Sequence, residues 1–154
     1  MRAVIQRVKS ARLSIDDNLY SEIDKGLVVF IGFKEGEGEE RLDWLVNKIC
    51  GLRIFEDENA KMNLSVKDVD GGIMLVSNFT LFGECYNGFR PSFVAAMNPK
   101  QATEMFDKFI YKVKQRHEKT VTGVFGADMQ INQHNDGPIT IFIDTDLIEK
   151  ETRR

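Results

Sequence analysis

Apolar and polar positions along the chain follow two periods, and the switches between them divide it into elements. Residues 3–15 mix both kinds of side chain around Val4, Val8, Leu13 and Ile15, which predicts a long strand with room for a bulge. Asp16-Asp17-Asn18 is a turn signal, and residues 20–23 predict a short return strand. Residues 27–33 (Leu-Val-Val-Phe-Ile-Gly-Phe) are almost wholly apolar, as in a central strand covered on both faces. After Gly36-Glu37-Gly38 the spacing becomes helical over residues 39–50. Leu42, Leu45, Val46 and Ile49 share one face, Glu39, Glu40, Asp43 and Lys48 lie opposite, and Gly51 is placed to end the helix.

Residues 52–55 are short and apolar, 56–61 are a polar turn, and 62–66 are placed to pair again. Ile73-Met74-Leu75-Val76, bounded by Gly71-Gly72, again predicts a strand buried on both faces. It ends in Ser77-Asn78-Phe79-Thr80, which carries polar groups to the rim of a core. Such a rim either serves as a site held by a rigid element or merely satisfies nearby backbone groups. Residues 83–98 have no period, hold Gly83, Gly88 and Pro91, and form a loop long enough to carry function. Residues 98–117 predict a second helix. Asn98 is its cap, Pro99 its first residue, and Ala102, Met105, Phe106, Phe109, Ile110 and Val113 its buried stripe, opposite a lysine-rich face. Residues 121–125, 128–133 and 139–144 predict three strands, separated by Gly126 and by Asn135-Asp136-Gly137-Pro138, and the charged tail 147–154 is expected to fray. The order predicts one mixed α+β domain over 1–154: a mixed, largely antiparallel sheet or partly open barrel covered by two helices, rather than a doubly wound fold.

Composition narrows the class. With 154 residues, 42% hydrophobic and 29% charged, the chain suits one globular domain with a real core. No apolar run approaches the ~20 residues needed to span a bilayer, and the first residues lack the apolar segment of a signal peptide, so a cytoplasmic protein is expected. A reducing compartment favours free thiols at Cys50 and Cys85 over a single disulfide. The net charge of −3 argues against wholesale coating of nucleic acid. Local basic clusters remain at Arg7, Lys9 and Arg12 and at Lys108, Lys112, Lys114, Arg116 and Lys119, for which a solvated surface is the commoner explanation.

Conventional catalysts are scarce. His117, His134, Cys50 and Cys85 have no metal-ligand spacing, so no metal is expected. Only His134 has a chance of approaching Ser77 or Thr80 as a base, and no phosphate-binding loop or complete dinucleotide fingerprint is present. An enzyme built from this chain would rely on backbone dipoles, water or the substrate's own groups. Gly137-Pro138 predicts a tight, stiff corner between two strands, because proline locks φ and glycine permits backbone that other residues avoid.

Taken together, Ser77-Asn78-Phe79-Thr80-Leu81 and Asn135-Asp136-Gly137-Pro138-Ile139-Thr140 resemble the two motifs of the D-aminoacyl-tRNA deacylases, Ser-Gln-x-Thr-Leu and Asn-x-Gly-Pro-x-Thr. The resemblance runs over the whole chain. It includes Arg2-Ala3-Val4-Ile5-Gln6-Arg7-Val8, Leu52-Arg53-Ile54-Phe55-Glu56-Asp57, Met62-Asn63-Leu64-Ser65, Arg90-Pro91-Ser92-Phe93 and Gly123-Val124-Phe125-Gly126-Ala127-Asp128-Met129. One departure is Asn78 in place of the usual glutamine, which shortens the stem of the amide by about 1.5 Å. That alters its reach if the amide orients substrate, and changes nothing if the backbone does the work.

The resemblance implies a cytosolic homodimer without cofactor or metal that acts on the 3′ end of aminoacylated tRNA. Members hydrolyse the ester of a D-amino acid, and also release glycine mischarged on tRNA-Ala. It implies that Ser77, Asn78, Phe79 and Thr80 hold the ester, and that Gly137 and Pro138, joined by a cis bond, form a chirality gate reaching into the partner's site. Phe125 would stack on the terminal adenine, Met129 and Ala96 would line the pocket, Arg7 would brace the gate, and Asn135 belongs to the gate motif. Two rival readings stand beside it: an esterase with Thr80 or Ser77 as nucleophile, and an RNA-binding module without catalysis.

Overall fold

A computed structural model describes residues 1–148 of the chain. The expected fraying of the tail falls, from residue 149 on, outside the described residues; Thr145–Leu147 before it form a single 3₁₀ turn. Eight strands and two helices follow the predicted order: β1 Arg2–Ile15, β2 Asn18–Ile23, β3 Gly26–Gly32, α1 Glu39–Gly51, β4 Phe55–Glu56, β5 Met62–Leu64, β6 Gly72–Ser77, α2 Pro99–Arg116, β7 Thr120–Thr122 and β8 Met129–Asp144. Asp16 and Asp17 both take positive φ at the β1–β2 turn, the twist a two-residue hairpin needs.

β1 organises the sheet. Along one edge it pairs antiparallel with β3 and then with β2, and along the other with β8. β3, β6 and β7 run parallel beyond it. β2 comes round to β7, where the Ser21 hydroxyl donates to the Thr122 carbonyl at 3.0 Å, so the mixed sheet nearly closes on itself.

Two strands of this barrel, β3 and β6, bury both faces. Leu27, Val29, Ile31, Ile73 and Leu75 face the helices, and Val28, Met74 and Val76 face a second cluster on the other side. β1 contributes to both by changing step: Ala3 and Ile5 join the helix side, Val8, Ala11 and Leu13 the other, and consecutive Arg7 and Val8 are both buried where the change occurs. At the start of β1, the Met1 ammonium is buried against Glu37 and donates to Thr145 Oγ1 at 2.6 Å. Burial holds its pKa below the ordinary value.

α2 begins as expected: Asn98 accepts from the Gln101 N–H at 3.0 Å, a cap worth about 1 kcal/mol, with Pro99 first in the helix. Its lysine-rich face is not free. Lys108 reaches Glu39, Lys112 reaches Asp43 and Arg116 reaches Asn47, at 2.7, 2.6 and 3.0 Å. The constant offset means that α1 and α2 lie side by side with the same direction, their exposed edges joined by polar bonds.

Two sequence expectations change. Residues 121–125 shrink to the short β7, and Phe125 sits in the following loop. The three predicted terminal strands become two, because β8 continues through Gly137-Pro138 as one 16-residue strand. The reason is pairing. Both halves of β8 pair with the same edge of β1, so the Gly-Pro segment bulges out of a ladder instead of turning a corner.

Candidate active site

The rim gathers at the C-terminal ends of the three parallel strands, where ligands of mixed and parallel sheets commonly bind. Ser77 ends β6 opposite Ile31 of β3, and Asn78 N–H donates to the Ile31 carbonyl at 2.8 Å. The chain then turns into a 3₁₀ turn, Phe79–Phe82. Such a turn leaves its first N–H groups without internal acceptors. Asn78, Leu81 and Gly83 N–H groups are all bonded, but those of Phe79 and Thr80 have no acceptor among the described residues. Phe79 itself is 54% exposed.

Side chains fix this turn. Arg2 Nη1 donates to the Leu81 carbonyl at 3.0 Å, its Nε pairs with Asp144 at 3.1 Å, and its guanidinium lies 4.7 Å from the centre of the Phe82 ring. Thr80 Oγ1 donates to Asn78 Oδ1 at 2.5 Å. That bond turns the shortened amide back on its own turn, leaves the amide's NH₂ without an acceptor among the described residues, and commits the hydroxyl proton of Thr80.

The neighbours predicted from the sequence divide into two groups. Ala96 bridges to Lys34 just past β3, and its N–H donates to the carbonyl of Phe93, whose ring meets Phe79 edge-on at 5.2 Å. Gly123 N–H donates to the Leu75 carbonyl, which carries the loop bearing Phe125 past the end of β6. Phe125 is half-buried, 6.2 Å from the Phe106 ring. Met129 packs its sulfur where a side chain on Gly123 would stand. Met129, paired with Ile15 at the other end of β1, reaches Gly123 of the same loop, and Ser77, Asn78, Phe79, Thr80, Ala96 and Phe125 border one end of the barrel.

Arg7, Asn135, Gly137 and Pro138 do not. On β1 the rim is tethered at Arg2, whereas Gly137-Pro138 lies opposite Arg7, five residues or about 17 Å of strand away. Between the pairs Gln6–Thr140 and Val8–Asn135, Arg7 alone faces the four residues 136–139. Arg7 is only 5% exposed. It donates to the Ile54 carbonyl at 2.8 Å and the Asp136 carbonyl at 3.3 Å, and pairs with the Asp136 carboxylate at 3.3 Å. The bulge is therefore braced from beneath while Gly137 and Pro138 are exposed. The peptide bond between them is cis. Gly137 has φ +125, and a methyl there would meet Ile139 at 2.8 Å, so glycine is required on both counts. Asn135 accepts from Gln133 Nε2 at 2.7 Å.

A surface feature absent from the sequence reading lies between rim and bulge. Val4 is flanked in register by Phe30 on β3 and Phe142 on β8, all on the sheet face away from the helices. Phe142 is 57% exposed. The alternation of β8 held the signal, but only the pairing of three distant segments makes a row of it.

Other chemistry is scarce. His134 pairs with Ser10, beyond the bulge from the rim, and His117 is buried with Nε2 2.7 Å from the Gly71 carbonyl, so neither serves Ser77 or Thr80 as a base. Cys50 and Cys85 are free, and burial pushes the Cys50 thiol up, away from the nucleophilic thiolate. Among the described residues no group of three His, Cys, Asp or Glu side chains is placed to hold a metal, and no helix is long and apolar enough to cross a membrane.

Comparison with known proteins shows a similarity that runs over most of the chain. The family described as D-Tyr-tRNA(Tyr) deacylase matches residues 4–144. A D-aminoacyl-tRNA deacylase of Dictyoglomus turgidum is 46% identical over 154 residues, 100% of this chain and 99% of the relative. One of Fusobacterium nucleatum is 49% identical over 145 residues, 94% and 96% of the two chains. Among solved structures, a chain described as c-Myc DNA Unwinding Element Binding Protein superposes with a TM-score of 0.88 at 36% identity, over 94% of this chain and 98% of that one. A probable eukaryotic D-amino acid tRNA deacylase shares the fold with a TM-score of 0.80 at 16% identity, over 92% and 97%. The chain belongs to the D-Tyr-tRNA(Tyr) deacylase family and is a hydrolase.

Proposed function

We propose that this protein, acting in the cytoplasm, hydrolyses the ester between a D-amino acid and the terminal adenosine of tRNA, and likewise removes glycine mischarged on tRNA-Ala. The observation that carries the reading is the pair of unengaged N–H groups at Phe79 and Thr80 on an open rim. An attacked ester carbonyl develops negative charge on oxygen, and a preorganised N–H stabilises it by about 3–4 kcal/mol. Water adds to the carbonyl carbon, the bond from that carbon to the ribose 3′-oxygen breaks, and a proton passes to that oxygen with help from the neighbouring 2′-hydroxyl. Free amino acid and tRNA leave. The ester is already activated, so neither triad nor metal is required. Asn78 presents its NH₂ to the substrate and Phe125 stacks on the terminal adenine, a usual mode of RNA recognition.

Selection for D over L needs a rigid wall, and within one chain the rim lacks it. The missing wall is the Gly137-Pro138 bulge of a second copy. On β1 Arg2 tethers the rim and Arg7 faces the bulge, so the midpoint falls at Val4 and Ile5, beside the half-buried Val4 and Phe30 and the exposed Phe142. A two-fold axis through that row covers the apolar stripe and lays each bulge over the other chain's rim. Such self-complementary pairing is the usual form of a dimer. An L side chain then collides with the backbone of the bulge, whereas hydrogen or a D side chain does not. Glycine, lacking a side chain, passes.

The test is purified protein incubated with D-tyrosyl-tRNA and L-tyrosyl-tRNA. Rapid loss of the D ester with the L ester spared supports the reading; equal rates, or none above the protein-free control, would sink it. Thr80→Val in the same assay is expected to keep turnover within about tenfold, since the hydroxyl serves only to hold Asn78, a bond worth about 1 kcal/mol. Complete loss in the folded variant, with a trapped acyl-enzyme in the parent, would make Thr80 the nucleophile.

A further inference from the structure

We infer that the hairpin at residues 84–92 is a stacking platform for the unpaired nucleotides preceding the terminal adenosine; the inference rests on the proposed tRNA substrate. The hairpin grows directly from the rim. Its base is closed by paired Glu84 and Ser92 N–H groups, each donating to the other's carbonyl at 2.8 Å. Just beyond, the Phe93 ring meets Phe79 and fills the space beside Gly83, so the base of the hairpin packs directly on the rim.

Its tip carries Tyr86, Phe89 and Arg90. Tyr86 is 90% exposed and Phe89 fully so. Arg90 is exposed too, with no hydrogen-bond or ion-pair partner among the described residues. Two large rings in water beside a free guanidinium contribute nothing to the core. Interleaved aromatics and arginine are what single-stranded nucleic acid uses: rings accept the faces of any base, and the guanidinium meets phosphate or stacks as well. The tip stands about four residues, or roughly 13 Å of extended chain, from the hairpin base. That carries it past a terminal adenosine held at the rim and onto the nucleotides before it. Here the continuity with the rim selects the occupant.

The experiment compares the parent with Tyr86→Ala/Phe89→Ala. A fluorescent ACCA oligonucleotide measures binding of the 3′ end without any ester. D-tyrosyl-tRNA and the minimal ester D-tyrosyl-adenosine measure turnover. Each lost ring is expected to weaken ACCA binding at least about fivefold. KM for D-tyrosyl-tRNA rises in step with little change in kcat, while hydrolysis of D-tyrosyl-adenosine is unchanged. Unaltered ACCA affinity and KM overturn the inference. So does unaltered ACCA affinity with a changed sedimentation coefficient, which would make the hairpin a contact between protein chains. If the parent fails to hydrolyse D-tyrosyl-tRNA, the functional reading falls, and the ACCA comparison still decides the platform.

Discussion

Phe142→Glu is expected to yield a stably folded monomer whose deacylation falls at least about a hundredfold. Phe142 is 57% exposed in the single chain, so a glutamate there meets water and costs the fold little. In the two-fold arrangement the same position lies beside its own copy on the axis, where two carboxylates would be buried together. Like charges brought together without water oppose association by several kcal/mol. Activity should follow assembly, because each rim loses the bulge that walls it. Sedimentation, thermal melting and the D-tyrosyl-tRNA assay check the three parts. A Phe142→Glu monomer with full D-selective activity would show that one chain suffices.

Phe79→Pro should lower kcat by about 10²–10³ while barely moving the melting temperature. Residue 79 opens a 3₁₀ turn and its N–H has no acceptor among the described residues, so proline removes no structural bond there. The first helical position also tolerates its fixed φ. What is lost is one donor at the developing oxyanion, worth about 2.7–4 kcal/mol. Phe79→Leu controls for the missing ring, since it keeps the N–H. Near-normal kcat in Phe79→Pro would move the oxyanion site elsewhere.

Much of this was legible along the chain. The unbroken apolar runs at residues 27–33 and 73–76 announced strands buried on both faces, and each serves both clusters. Asn98-Pro99 marked the start of α2 because capping is a local matter. The Gly-Pro segment misled, since turn chemistry is also local whereas a bulge is defined by the partner strand; nothing near residue 137 reveals that β1 pairs on both sides of it. The lysines of α2 looked available for RNA because Glu39, Asp43 and Asn47 lie 69 residues upstream. The rim residues could be named from their motif, but the free N–H groups belong to the backbone and leave no mark in residue type. The Phe30–Val4–Phe142 row joins three strands and exists only in register.

That bulge and rim act between chains is tested most directly by a defined heterodimer. One chain carries Pro138→Ala, which loosens the wall, the other carries Phe79→Pro, which disables the rim, and the pair is purified through two different C-terminal tags. Its one working rim then faces an unaltered bulge donated by the other chain. The heterodimer should hydrolyse D-tyrosyl-tRNA at about half the parent rate and spare the L ester, although the Pro138→Ala homodimer cleaves both. Hydrolysis of L-tyrosyl-tRNA by the heterodimer, at the rate per working rim seen in that homodimer, would place rim and bulge in the same chain and contradict the account.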